Sequence, residues 1–349
     1  MIDMKVEERS PLYVNLNYQS DYIRLAQNEN PYGASPKVID AIIKNMNCTS
    51  LYPDVVLFEL KDKLAQMFGF STDEITVGPG SCSLIDQLIF RGVRPDENII
   101  IPKLTFSAYK LCAEIHNREY REAEMDNFHI SLKNIFALCD SKTKLIFLSN
   151  PNNPTGTIFT HNEILEFIGK VPENTYVILD EAYNEYVDDE NFPKSFEILK
   201  QFHNVIILRS FSKIYGLAGL RIGYGIARPF IIEDLDKTRV PFSVSTIANI
   251  AALTALEDVA HIKECAAKNA HGREMLINGI KSLGYNVIPS QSNFIFIHFT
   301  NKLDRDKMYQ RLLENKIIIR RMDAFGDSNS LRISIGKDDE NCRIINCLS

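Results

Sequence analysis

None of the seven cysteines in this 349-residue chain stands in a CxxC pair, and their spacing follows no pattern. An odd number excludes complete pairing within the chain, so reduced thiols in a cytoplasmic protein are expected. No uninterrupted apolar stretch approaches the roughly 20 residues that cross a bilayer, which argues against a membrane-spanning helix. The opening MIDMKVEERSPLYVNL is charged and lacks the apolar core of a secretion signal. Nor is there an excess of positive charge: 39 Lys and Arg stand against 45 Asp and Glu, a net charge of -6. That gives no reason to expect nucleic acid, while a local basic pocket for a small anion stays open. Internal repeats and low-complexity linkers are also missing.

What is present reads as an ordinary globular protein, 45% apolar and 24% charged, long enough for two domains. Residues 1–30 lack periodicity, contain Pro11, and are expected as an N-terminal arm. Residues 35–47 and 56–68 have apolar positions at helical spacing. From residue 75 short apolar runs alternate with helical stretches: 75–78, 98–102, 144–150, 176–181 and 204–210 are the runs. Continuous apolarity suits parallel strands covered on both faces, so residues 31–240 are expected to form a large α/β domain with a mostly parallel sheet. Long helical patterns after Pro241, then NFIFIHF, DKMYQRLLEN, KIIIR and LRISI, predict a smaller C-terminal α/β domain over 241–349.

The residues with chemical potential cluster after these runs. Lys213 follows NVIILRS directly, within SFSKIYGLAGLR. It is either an ordinary solvated or phosphate-binding loop lysine or the amine of a Schiff base to a carbonyl cofactor. Its neighbours favour the second: Ser210 and Ser212 can donate to phosphate, Gly216 and Gly219 permit close chain approach, and Arg221 offers a planar fork to an anion. Asp180 closes YVILD, where a buried charge needs a partner. A protonated pyridine nitrogen would serve and would keep the ring an electron sink; a cap or a buried salt bridge is the alternative. Tyr183, three residues on, and Asn153, in LSNPNNPTG, can hydrogen-bond a ring oxygen. In GPGSCS, Ser81 and the backbone N–H groups of Ser81 and Cys82 suit a phosphate at a helix start, although the motif is neither a P-loop nor a dinucleotide fingerprint.

From LAQNENPYG at residue 25 to LRISIG at 331, the sequence resembles the histidinol-phosphate aminotransferases within the fold type I pyridoxal-phosphate enzymes. NPNNPTG, DEAY, SFSK and AGLRIGYG carry the likeness. The resemblance implies that Lys213 carries pyridoxal 5'-phosphate, that Asp180 pairs with its pyridine nitrogen, and that Asn153 and Tyr183 bond the ring oxygen. It further implies Ser81, Cys82, Ser210, Ser212 and Arg221 around the phosphate and Phe106 stacked on the ring. Tyr52, in LYPD, would reach the phosphate in a neighbouring subunit, hence a homodimer with composite sites. Asn30 and Tyr32 in the NENPY segment, with Arg320 and Arg332, would meet the substrate. Arg332 would take the α-carboxylate of glutamate and Arg320 the phosphate. The implied reaction exchanges an amino group between L-histidinol phosphate and 2-oxoglutarate, a step of histidine biosynthesis. GPGSCS departs from the acidic GSDE-like pattern common in that family. Another phosphorylated amine such as serinol phosphate, or decarboxylation of a phospho-amino acid as in threonine-phosphate decarboxylases, therefore stands as an alternative. A non-enzymatic binding protein is the alternative of a different class.

Overall fold

Runs such as LIFL, VIL and VIIL are apolar at successive positions because each face of their strands meets a different layer of helices. In the computed structural model, which describes residues 21–349, strands β1 (Ile23–Leu25), β2 (Ile75–Gly78), β3 (Asn98–Pro102), β4 (Glu119–Ala123), β5 (Thr143–Ser149) and β6 (Tyr176–Asp180) come first. They are followed by β7 (Val205–Ser210), β8 (Gly223–Ile226), β9 (Asn286–Ile288), β10 (Phe294–His298), β11 (Ile317–Arg321) and β12 (Ser330–Ser334). Most of the expected N-terminal arm, residues 1–20, lies outside the described residues.

Seven strands form one sheet in the order β2-β8-β7-β6-β5-β3-β4. All run parallel except β8, which is antiparallel to both β2 and β7. Side chains alternate between the faces, as the strand period requires. Ile146, Leu148, Val177, Leu179, Val205 and Ile207 enter one core, shared with the helices Phe58–Phe68 and His161–Ile168. Leu145, Phe147, Ile178, Ile206 and Leu208 enter the other, against the helices Ser81–Gly92 and Ala108–Ile115. Ser149 sits beside Asp180 in register, so β5, β6 and β7 deliver their last residues to one edge. In open α/β sheets that edge is where ligands bind.

Two strands of this sheet escaped the sequence reading, each for a physical reason. β4 (EYREA) is an edge strand whose charged side chains face solvent, so it carries no apolar run. β8 (GYGI) sits where a Cβ on Gly223 would lie 2.6 Å from the Ser81 backbone nitrogen, a close approach that removes the side chain a strand signal depends on.

The second sheet has the order β1-β11-β12-β10-β9. β1, from the segment read as an arm, pairs parallel with β11. One face of this sheet is apolar: Leu25, Ile295, Ile297, Ile319, Leu331 and Ile333 pack with the helices Val259–Ser282 and Lys302–Glu314. The alternate positions include Arg320 and Arg332, Cα partners across β11 and β12. The long helical pattern after Pro241 is broken at Asp258, which leaves helical geometry (φ -93, ψ 60) and accepts a hydrogen bond from Lys37 Nζ at 2.9 Å.

Next to Asp180, Glu181 is 1% exposed and accepts from Arg209 Nη2 at 2.8 Å and Nε at 3.1 Å. The guanidinium lies 4.4 Å from the Phe196 ring centroid. Removing one member of a buried pair leaves the other charge uncompensated. Arg209→Met is expected to lower the apoprotein's unfolding free energy by about 3–5 kcal/mol in urea titration. Arg209→Met combined with Glu181→Leu should regain most of it; a double variant as unstable as the single one would show that the pairing is not the source.

Candidate active site

The carboxyl edge of the large sheet opens into a cavity of about 400 Å³. Asp180 ends β6 there, and Lys213 stands three residues beyond the end of β7. Both reach this space because β6 and β7 are parallel neighbours in close register. The Asp180 carboxylate is 3% exposed. Its Oδ2 accepts from Tyr109 Oη at 2.7 Å and its Oδ1 from the Ala182 backbone N–H at 3.3 Å. Burial pushes its pKa up to about 6, partly opposed by the Tyr109 hydrogen bond. Among the described residues no cation stands within ion-pair distance of it. Lys213 Nζ is 3.1 Å from Gln27 O and 5.5 Å from the Tyr183 ring centroid.

A second corner of the cavity is built for an anion. The helix Ser81–Gly92 starts there with no side chain capping its first N–H groups, and Ser81 and Cys82 line the wall. Unsatisfied amides at a helix start attract negative charge. Arg221 Nη1 donates to Ser212 Oγ at 3.3 Å, and Ser210 Oγ accepts from the Ser212 backbone N–H at 3.0 Å. Gly80 (φ +82) is tailored to this corner, since a Cβ on it would lie 2.6 Å from Arg221 Nη2.

The opposite wall comes from the small sheet. Arg332, 5% exposed, donates through Nη1 to Asn153 Oδ1 and through Nη2 to Ala26 O at 2.8 Å. Desolvation lowers its pKa to about 10. Arg320, also buried, lines the same cavity. The segment Ala26–Asn28, leaving β1, runs between the two sheets. Asn28 Nδ2 donates to Tyr183 Oη at 3.1 Å, Asn28 N donates to Ser334 Oγ at 2.9 Å, and Asn293 Nδ2 donates to Asn28 O at 3.0 Å.

Asn153, Asp180, Tyr183, Lys213, Arg320 and Arg332 thus share one cavity, as do Phe106 and the phosphate-corner residues. Asn30 and Tyr32, expected at the substrate, lie elsewhere, and Tyr52, expected to reach a neighbouring subunit, lies on the surface. Asn30 turns its amide away, onto Ile214 O at 2.7 Å, and serves to brace the loop that carries Lys213. Tyr32 packs under Lys268, whose Nζ is 4.7 Å from its ring centroid. Tyr52 is 83% exposed and lies against Phe242, with ring centroids 4.7 Å apart. The sequence reading missed Asn28 and Tyr109. Asn28 lies inside the NENPY segment, which is its available signal; Tyr109, at helical spacing among apolar neighbours, reads as core.

The sequence profile described as "Aminotransferase class I and II" matches residues 20–346. The chain belongs to the class I and II aminotransferases. It is 38% identical over 330 residues to the histidinol-phosphate aminotransferase of Geobacillus sp. (strain WCH70), covering 95% of this chain and 90% of that one. It is 40% identical over 330 residues to the enzyme of the same name from Anaeromyxobacter sp. (strain Fw109-5), covering 94% and 90%. The crystal structure of histidinol-phosphate aminotransferase from Sinorhizobium meliloti in complex with pyridoxal-5'-phosphate matches with a TM-score of 0.88 at 28% identity, covering 94% of this chain and 89% of that one. The architecture is therefore fold type I, and this aminotransferase is a pyridoxal-phosphate enzyme.

The cavity of the aminotransferase suits that cofactor on its own terms. A buried carboxylate without a cation matches a pyridinium, a bare helix start beside Arg221 matches a phosphate, and Lys213 supplies an amine between them. Arg221→Ala removes a charged donor worth roughly 1.5–3 kcal/mol, so the cofactor should bind roughly tenfold to a hundredfold more weakly. Equilibrium dialysis measures this. Apoprotein melting should stay put, because Arg221 is exposed; unchanged affinity would remove Arg221 from the phosphate corner.

Proposed function

We propose that this aminotransferase exchanges an amino group between L-histidinol phosphate and 2-oxoglutarate, yielding glutamate, as a cytoplasmic step of histidine biosynthesis. The observation that carries the reading is the pair Arg320 and Arg332, side by side on the small sheet and turned into the cavity that holds Lys213. Two guanidinium groups offer planar forks to two anions: the phosphate of the amino alcohol and the α-carboxylate of glutamate. The names of the relatives at 38–40% identity support the same substrate.

Pyridoxal phosphate, when bound, supplies the electron sink that stabilises negative charge on the substrate's reacting carbon. Lys213 Nζ is the amine that would hold the cofactor's aldehyde carbon and, when free, would take and return the proton at the substrate's reacting carbon. Gln27 O orients Nζ from 3.1 Å. Asp180 would pair with the ring nitrogen, and Phe106, on the wall of the same cavity, would cover the ring. Because Arg332 donates to Asn153 Oδ1, the Asn153 amide is left with its N–H groups to donate to the ring oxygen. Because Tyr183 Oη accepts from Asn28, its own proton is turned to the same task. Ser81, Cys82, Ser210, Ser212 and Arg221 would hold the phosphate.

The dimer belongs to this reading too. Leu51, Tyr52, Val56, Phe58 and Phe242 expose a run of large apolar side chains, the surface a second copy would cover. Tyr52 would then complete the neighbouring subunit's phosphate corner. Mixing inactive Tyr52→Ala and Lys213→Ala proteins under exchange conditions should recover roughly a quarter of wild-type activity, the share of intact composite sites in a random mixture of two-fold dimers. No recovery despite subunit exchange would refute the composite site.

For the substrate, the cofactor-loaded protein should turn over histidinol phosphate with 2-oxoglutarate, read by absorbance and by product mass. Lys213→Ala should remove the lysine-linked visible band and lower turnover by at least about a hundredfold, the lower range for a lost proton-transfer group. Preference for a smaller phosphorylated amine would reassign the substrate. Carbon dioxide released from a phospho-amino acid without keto-acid turnover would reassign the reaction.

A further inference from the structure

We infer that Tyr109 is a positioning residue for the cofactor, acting through Asp180: its hydroxyl fixes the carboxylate that faces the ring nitrogen. This rests on the reading above that Asp180 pairs with that nitrogen. Tyr109 is the second residue of the helix Ala108–Ile115 and is wholly buried. Its ring stacks on Phe147 of β5, with centroids 4.7 Å apart and planes 21° from parallel, and it meets Phe106 edge-on at 5.7 Å. A phenylalanine would fill the same space. Burying a hydroxyl in such surroundings is costly unless it is bonded, and here it is bonded to Asp180 Oδ2 at 2.7 Å.

The geometry makes the bond a clamp rather than a neutral contact. Oδ2 is held by a helix on one side of the sheet and Oδ1 by the backbone N–H of Ala182, so the carboxylate plane cannot rotate without losing one of them. The charged and titratable groups around Asp180 act in both directions. Burial and Glu181 disfavour its ionised form, while Tyr109 and Lys213 favour it. The thiol of Cys82, also near, is itself raised by burial and by Asp180, and so stays neutral. Tyr109 is held well above the usual phenol range by burial and by Asp180, which keeps it a donor throughout the working pH range. Of the influences that favour a charged Asp180, the Tyr109 bond is the largest.

A two-by-two set of holoenzymes tests this: wild type, Tyr109→Phe, Asp180→Asn and the double variant, with apoprotein melting as a control for folding. Tyr109→Phe should weaken pyridoxal-phosphate binding about tenfold and slow the glutamate half-reaction by a similar factor, with KM for glutamate unchanged. The pH midpoint of the visible band should move up, since a ring nitrogen that holds its proton less firmly draws less charge from Lys213 Nζ. In the Asp180→Asn background the same substitution should change neither affinity nor midpoint. Equal losses in both backgrounds would mean that Tyr109 works by packing, and would overturn the inference. So would a Tyr109→Phe enzyme with wild-type affinity and midpoint. If Tyr109→Phe melts early, Tyr109→His keeps a donor and serves as the second variant. Cofactor affinity closer to wild type for histidine than for phenylalanine supports the hydroxyl's role, and the reverse order overturns it. Asp180→Asn with undiminished cofactor binding would instead sink the assignment of Asp180 itself.

Discussion

A carboxylate with 3% exposure at the end of β6 sets the terms for everything around it. Charges taken out of water cost several kcal/mol each even after the protein relaxes. β6 cannot return this one to solvent, because Val177 and Leu179 are locked in one core and Ile178 in the other. With its pKa raised from 3.8 to about 6, Asp180 binds its proton more tightly folded than unfolded. Its contribution to unliganded stability is therefore favourable below the unfolded value of 3.8 and is lost as the pH rises through about 6. A cation brought to Asp180 reverses that loss, so cofactor binding and folding draw on the same interaction. The helix behind it, the strand beside it and the lysine in front of it are all placed by the sheet that buries it.

Asp180, Lys213 and Asn153 were legible in the sequence because each follows or closes an apolar run, and a parallel sheet sends the ends of such runs to one edge; Arg221 was legible as a neighbour of Lys213 in SFSKIYGLAGLR. The same logic located the central strands but not β4 or β8. The first, at the rim, carries charged residues between its few apolar ones, so it shows no apolar run. The second has glycine at Gly223, where a side chain would meet the start of the helix Ser81–Gly92, and so reads too weakly as a strand. Asn30 and Tyr32 mark a different limit. NENPY reads as one motif, but Asn28 takes a left-handed turn (φ 57), and the chain then carries Asn30 behind the Lys213 loop instead of into the cavity. Tyr109 was illegible for the opposite reason: at helical spacing among apolar neighbours it reads as core, and only the distant register of β5 against β6 brings Asp180 to its hydroxyl.

The division of labour between the two sheets follows from their faces. Both faces of the large sheet's central strands are covered, so it offers only its edge, and that edge holds the groups suited to the cofactor. The small sheet covers one face with its own helices and turns the other, with Arg320 and Arg332, toward that edge. Between them, Ala26, Gln27 and Asn28 give carbonyls to Arg332, Lys213 and Asn293 in turn. Three successive peptide groups thereby set the gap across which substrate must fit.

That bridging segment is anchored by β1, and β1 finds its partner very late in the chain: Ile23 pairs with Ile317, 317 - 23 = 294 residues away. Loop-closure entropy makes such a pairing among the slowest kinds to form. During synthesis the strands that deliver Asp180 and Lys213 emerge long before β11 and β12 exist. A ribosome-bound chain can therefore have its cofactor edge assembled while the arginine face is still missing, and the wall that would select a substrate closes only when β1 meets β11.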